Sequence, residues 1–206
     1  TDPCNILWLT GYDLWSFYVP QAVVVAPKLR EPLWLGRGGD APGIEETSWL
    51  SPDSVVAYTD DLVQIAGRHA GDFIAATLRD RGLARGVIGL ELESFYLTPA
   101  YRDVLVAALP MATGWTDLGL KVSRLRSAKS PAELELMRQA ALIAERAMTV
   151  GLEHMQVGAR ECDVVGEIAR AQYSGTPEYG GCHTSSPIYV LRGKRGAAPH
   201  LSWGQG

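Results

Sequence analysis

His200 is the residue of this chain best suited to moving a proton. It follows the turn Gly193-Lys-Arg-Gly196, sits between Pro199 and Leu201, and has Trp203 three positions on. Such surroundings can hold an imidazole partly out of water, and a side chain that titrates near neutrality is the natural shuttle for acid–base catalysis. The competing reading is a hydrogen-bonded loop histidine with no chemical role, since isolated motif residues are often incidental. A second feature is aromatic: Tyr12, Trp15, Phe17 and Tyr18 crowd one short stretch. They either fill a core beside neighbouring strands, the usual fate of aromatic side chains, or offer π faces to a cationic group.

Other reactive side chains fit their chemistries less well. His69, His154 and His183 lack any metal-ligand spacing and read as surface or loop residues. Ser185 and Ser186 lack the Gly-x-Ser-x-Gly turn that exposes a hydrolase nucleophile. The loop Gly36-Arg-Gly-Gly39 has neither the spacing nor the lysine of a phosphate cradle, and Glu178 reads as a solvated loop carboxylate. Cys4, Cys162 and Cys182 are odd in number and form no CxxC pair, so they suit reduced cytoplasmic thiols better than disulfides or zinc.

Composition narrows the class. The chain has 206 residues, 47% hydrophobic and 20% charged, which is ordinary for a soluble globular protein of one large or two small domains. A net charge of -4 without a basic run excludes nucleic acid and anionic membranes as expected partners. Apolar runs such as Ala22-Val-Val-Val-Ala26 fall far short of the roughly 18 residues of a membrane span. The chain starts at Thr1 with nothing that reads as a signal peptide, so it is expected to be a fragment of a longer protein.

These groups need a scaffold. Asn5–Thr10, Gln21–Ala26, Glu31–Gly36, Ser54–Tyr58 and Gly86–Glu91 are short apolar runs that read as strands. Helical spacing marks Arg68–Arg81, with Gly82 as its stop, and Pro99–Ala108, ended by Pro110. Strands separated by helices imply crossovers in a mixed, largely parallel sheet covered on both sides. The basic stretch Ser123–Lys129 precedes Ser130-Pro-Ala-Glu133, where Ser130 caps, Pro131 suits the first helical position and Glu133 completes a capping box. That helix should run to about Met148 and bury Met137, Ala140, Ala141, Ala144 and Met148. A further helix at Cys162–Tyr173 should bury Val164, Val165, Ile168 and Ala169, with Asp163 favouring the positive end of its dipole. The expected domains are residues 1–127 and 128–206.

The small α/β domain, the basic linker, Lys129-Ser-Pro-Ala-Glu133 and Met137-Arg-Gln-Ala-Ala141 resemble the creatinase, prolidase and aminopeptidase P superfamily. Within it, Leu9–Tyr18, Gly175-Thr-Pro-Glu-Tyr-Gly-Gly181 and Pro199-His-Leu-Ser-Trp203 look most like ectoine hydrolase and creatinase-type branches. The resemblance implies a ribonuclease H-like N-terminal domain followed by an incomplete α+β pita-bread domain. It also implies that His200 is the active-site histidine of a hydrolase of amide or amidine C–N bonds. Trp15, Phe17, Tyr18 and Trp203 would contact the substrate, with the small domain of one subunit of a homodimer overhanging the pocket of the other. Peptidase members use divalent metals, whose Asp, His and Glu ligands would lie downstream of His200, so none is expected here. Creatinases carry an arginine where Val19 stands, and valine cannot grip a carboxylate bidentately. Creatine is therefore a poor substrate, a cyclic amide such as ectoine is favoured, and an Xaa-Pro dipeptide stays open. The rival from another class is a catalytically inert binding or assembly module on the same fold.

Overall fold

The computed structural model describes residues 1–13, 15–184 and 186–204, leaving Leu14, Ser185, Gln205 and Gly206 outside the described residues. The chain has an α/β fold and divides into two compact units, Thr1–Ala128 and Lys129–Gly206.

The first unit opens with helix α1, Pro3–Thr10, where the strand pattern had pointed to a strand. End chemistry explains the difference. Asp2 accepts from the Asn5 amide, Pro3 starts the helix, and left-handed Gly11 closes it with a bond to the Leu7 carbonyl. Strands β1 (Ala22–Val24), β2 (Leu33–Arg37) and β3 (Val55–Tyr58) form one sheet, with β1–β2 antiparallel and β2–β3 parallel. Strands β4 (Gly86–Leu90) and β5 (Ala112–Asp117) pair in parallel as a second sheet, so the single sheet expected from the sequence is two. Helix α2 (Ala41–Thr47) connects β2 to β3, α3 (Ala70–Asp80) follows β3, and α4 (Pro99–Ala108) crosses from β4 to β5.

Alternation along β2 divides the core. Leu33 and Leu35 pack with Ile74, Leu78, Tyr101 and Leu105 of α3 and α4. Trp34, between them in sequence, packs with Ile6, Tyr12, Ile44 and Leu50 instead. A two-residue period thus puts helices on both faces of the first sheet. The basic linker is itself helical, as α5 (Lys121–Ser127), and Arg126 Nη1 donates to Asn5 Oδ1 at 2.8 Å.

The second unit begins with α6, Pro131–His154, whose capping box is formed in both directions. Ser130 Oγ accepts from the Glu133 amide at 3.2 Å, and Glu133 Oε2 accepts from the Ser130 amide at 2.7 Å. Its buried side differs from the expected one: Met137, Ala140, Ala141, Ala144 and Met148 are exposed, whereas Ala147 and Gly151 are buried. The reason is α7, Glu161–Ser174, whose Val164, Ile168 and Ala171 join Ala147 in one cluster. A Cβ on Gly151 would stand 2.9 Å from Ile168 Cδ1, so close approach of the two helices selects the face. Ala169 is half-buried, not buried. Among the described residues the second unit has no strand, so its α+β expectation finds only helices, a 3-10 turn at Gly193–Ala197 and irregular backbone.

Candidate functional site

Two groups of candidate residues emerge, one in each unit. In the first, Trp15, Phe17 and Tyr18 are exposed and stack edge-on, with centroids 5.5 Å apart for Trp15–Phe17 and 6.5 Å for Phe17–Tyr18. Phe17 also meets Tyr96 at 6.2 Å. Tyr12, counted with them on sequence, belongs to the core, where it packs edge-on against Trp34 at 6.0 Å. Burial, then the Asp40 charge, pushes its phenol up to about 12, so it stays a neutral donor at physiological pH.

The chain anchors this loop from below. Buried Gln21 donates from Nε2 to the Ser16 carbonyl and accepts the Trp34 indole N–H at 3.2 Å. Tyr58 donates its hydroxyl to the Pro20 carbonyl at 2.7 Å. Arg37 donates from Nη1 to the Tyr18 hydroxyl at 3.1 Å and grips Asp60 through two further bonds, at 2.7 and 2.8 Å. Val19 is buried, as an aliphatic side chain beneath such a loop should be. Beside the loop lies a cavity of about 290 Å³, lined in part by Tyr12, Asp13, Trp15, Ser16, Tyr18 and Asp40. Ser16 Oγ and Asp40 Oδ2 are buried there with no hydrogen-bond partner among the described residues.

The second unit holds the other group. His200 is exposed, its ring tilted against Tyr189 with centroids 6.1 Å apart. Trp203 is exposed in the same segment. Upstream, Gly181 lies so close to the end of α7 that a Cβ would clash with the Gln172 carbonyl oxygen, which accounts for glycine there. Glu178 is exposed.

The remaining candidates take structural places. His69 caps α3, its Nδ1 accepting from the Gly71 amide at 2.9 Å. His154 Nδ1 lies 2.8 Å from the Val150 carbonyl at the end of α6, and His183 packs edge-on with Tyr173 at 5.8 Å. All three cysteines are free thiols, and Ser185 lies outside the described residues. No group of three or more His, Cys, Asp or Glu side chains among the described residues could hold a metal ion. No described helix is long and apolar enough to cross a membrane.

Sequence reasoning missed Gln21, Arg37, Asp40, Glu161 and Tyr189. Only Gln21 carried a signal, as a lone amide ahead of an apolar strand; Arg37 and Glu161 act through partners far away in sequence.

No protein-family model matches the chain. It is 39% identical over 209 residues to an ectoine hydrolase of Halomonas elongata, covering 98% of this chain and 52% of that protein. It is 38% identical over 200 residues to the uncharacterized hydrolase/peptidase y4tM of Sinorhizobium fredii, covering 97% and 51%. The chain thus spans about half the length of the curated relatives it matches. Among solved structures, the Xaa-Pro dipeptidase from Bacillus anthracis superposes with a TM-score of 0.69 at 18% identity, covering 100% of this chain and 51% of that one. The X-Pro aminopeptidase from Thermotoga maritima MSB8 gives 0.68 at 15% identity, covering 98% and 51%. At such identities the structures speak to the fold, while the sequence relatives carry the kinship. The chain belongs to the creatinase, prolidase and aminopeptidase P superfamily.

Proposed function

We propose that the chain is part of a hydrolase of amide or amidine C–N bonds, with a compact cyclic substrate of the ectoine type as the favoured one. In this reading Thr1–Ala128 is the N-terminal domain and Lys129–Gly206 the first part of the pita-bread domain. The observation that carries the proposal is the 39% identity to an ectoine hydrolase across 98% of the chain. His200 takes a proton from the attacking water as oxygen adds to the carbon, and returns it to the leaving nitrogen as the C–N bond breaks. Its exposure leaves the imidazole open to a substrate. Trp15, Phe17, Tyr18 and Trp203 supply the aromatic contacts, and the Asp13 and Asp40 carboxylates beside the cavity suit a cationic group such as an amidinium. The remaining catalytic groups are assigned to the other half of the relatives' length, and the 206-residue chain alone is expected to be inactive. The working assembly is proposed to be a homodimer in the cytoplasm.

The test is His200→Ala in the protein that carries this chain at its relatives' length, assayed with ectoine, creatine and Gly-Pro. A positioned acid–base group contributes roughly 10²–10⁴-fold, so kcat should fall by that range on whichever substrate the parent accepts. The melting curve should barely move, because exposed loop positions usually change stability by no more than about 0.5 kcal/mol. A folded variant with near-parental kcat would show that the histidine is structural.

A further inference from the structure

Glu161 is the only charged side chain among the described buried residues, 3% exposed at the first position of α7. A buried carboxylate is costly unless hydrogen-bonded and paired, and the partners here all come from one segment. Oε1 accepts the Arg192 amide at 2.8 Å, while Oε2 accepts the Gly204 amide and lies 3.5 Å from Arg195 Nε. Arg195 in turn donates from Nη2 to the Ser202 carbonyl at 2.5 Å. Both ends of the 192–204 segment therefore close on a single carboxylate, which the positive end of the α7 dipole also favours. Between those ends run the 3-10 turn at Gly193–Ala197 and two turn bonds, Ala198 N–H to Arg195 O at 3.0 Å and Leu201 N–H to Ala198 O at 3.1 Å. His200 sits inside this closed segment, against the Tyr189 ring. Just upstream, Ile188 and Val190 pack on the α6–α7 cluster, so the Tyr189 side of that contact is anchored too.

We infer that Glu161 is the positioning residue for His200: it clamps both ends of the 192–204 segment to α7 and so fixes where the imidazole stands. This rests on the reading of His200 as the proton-transfer group. Glu161 itself touches neither the imidazole nor the reacting atoms; its effect passes through the backbone at Arg192 and Gly204. Loops otherwise sample many conformations, and proton transfer requires the ring within hydrogen-bond reach of the atom it serves.

Glu161→Gln is the discriminating variant, because it keeps the shape but leaves one oxygen acceptor and turns an amide N–H toward a backbone donor. In the 206-residue chain, exchange of the Arg192 and Gly204 amides should quicken about tenfold or more, as expected for losing a hydrogen bond to a charged acceptor. Amides within α6 should not change, His200 ring resonances should shift, and the nuclear Overhauser contact with Tyr189 should weaken. At the relatives' length, kcat should fall about tenfold with KM nearly constant, the signature of an interaction used in the transition state. Glu161→Asp, which keeps the charge on a shorter arm, should restore part of that loss. Glu161→Gln combined with His200→Ala should be no slower than His200→Ala alone, because non-additivity marks two residues acting through one group. Unchanged exchange, unchanged His200 signals, or full additivity in the double variant would each overturn the inference. Should His200→Ala alone keep parental kcat, the catalytic reading fails, while exchange and His200 signals still decide whether Glu161 fixes the segment and ring. Arg195→Ala, at an exposed arginine, is the second variant if Glu161→Gln does not fold. It should speed Gly204 exchange and disturb the His200 signals in the same sense, and an unaffected segment would count against the clamp.

Discussion

Trp15 and Glu161 show what single residues can be asked to reveal. Trp15 is 69% exposed beside the cavity, so its truncation removes a π face and little core area. A cation over such a face is worth about 0.5–1 kcal/mol at an exposed site, so Trp15→Ala should raise KM about 2- to 5-fold with kcat and melting temperature nearly unchanged. Steady-state kinetics on the relatives-length protein checks it; a collapse of kcat instead would place Trp15 at the chemistry. Glu161 makes a prediction in pH. The Gly204 and Arg192 backbone amides, then the Arg195 and Arg192 charges, hold its carboxyl below the ordinary value of 4.5. The other charged groups at the start of α7 are Arg160 and Asp163, which pair with each other at 2.6 Å. A depressed carboxyl stabilises the folded segment above its unfolded value and loses that contribution as pH falls through the folded one. Gly204 amide protection should therefore hold at neutral pH and drop only at the acid end, below the usual glutamate range. In Glu161→Gln that pH dependence should vanish, and its persistence would assign the titration to another group.

At the scale of elements, helix ends decide more than helix middles. The apolar run Ile6-Leu-Trp-Leu9 suits a strand by residue type, yet Asp2, Pro3 and Gly11 make it a helix. In α6 the capping box fixes where a 24-residue helix begins, although most of its first turns bury nothing. A helix without a packed face near its start depends on its cap to keep that end from fraying. Ser130→Ala should cost about 1 kcal/mol of second-unit stability and increase amide exchange across the first turn of α6. Urea titration followed at Trp203, the one tryptophan of residues 129–206, together with exchange measured residue by residue, tests both parts. An unmoved midpoint with unchanged exchange would mean that the cap contributes nothing beyond water.

For the molecule as a whole, the exposed apolar side chains of α6 are the feature to explain. Leu136 is 67% exposed and Leu152 61%, with Met137, Leu142 and Met148 also exposed. Exposed apolar side chains in this number favour association. The chain should therefore self-associate at micromolar concentration, and light scattering should give a mass above one copy. A monodisperse monomer would count against the proposed homodimer.

The sequence by itself determined what local chemistry controls. The Ser130–Glu133 capping box, helix α4 at Pro99–Ala108, and strands near 22–24, 33–37, 55–58 and 86–90 follow from caps, prolines and short-range pattern. Motifs such as Pro199-His-Leu-Ser-Trp203 carried the family, because they are strings of residue types. The tertiary structure decided whatever depends on a distant partner. Strand β5 has no apolar run of its own and carries Gly114 in its middle, and it exists through its pairing with β4. The buried face of α6 is set by Gly151 meeting Ile168 of α7, not by the hydrophobic pattern of α6 alone. Tyr12 left the aromatic group for the core because Trp34 lies beneath it, whereas Trp15, Phe17 and Tyr18 stayed outside. Glu161, an ordinary acidic residue at a helix start, became a clamp only when Arg192 and Gly204, 31 and 43 positions away, folded back onto it. Periodicity records which face of an element is apolar, but only the neighbours that pack there decide which polar groups are buried and what must hold them.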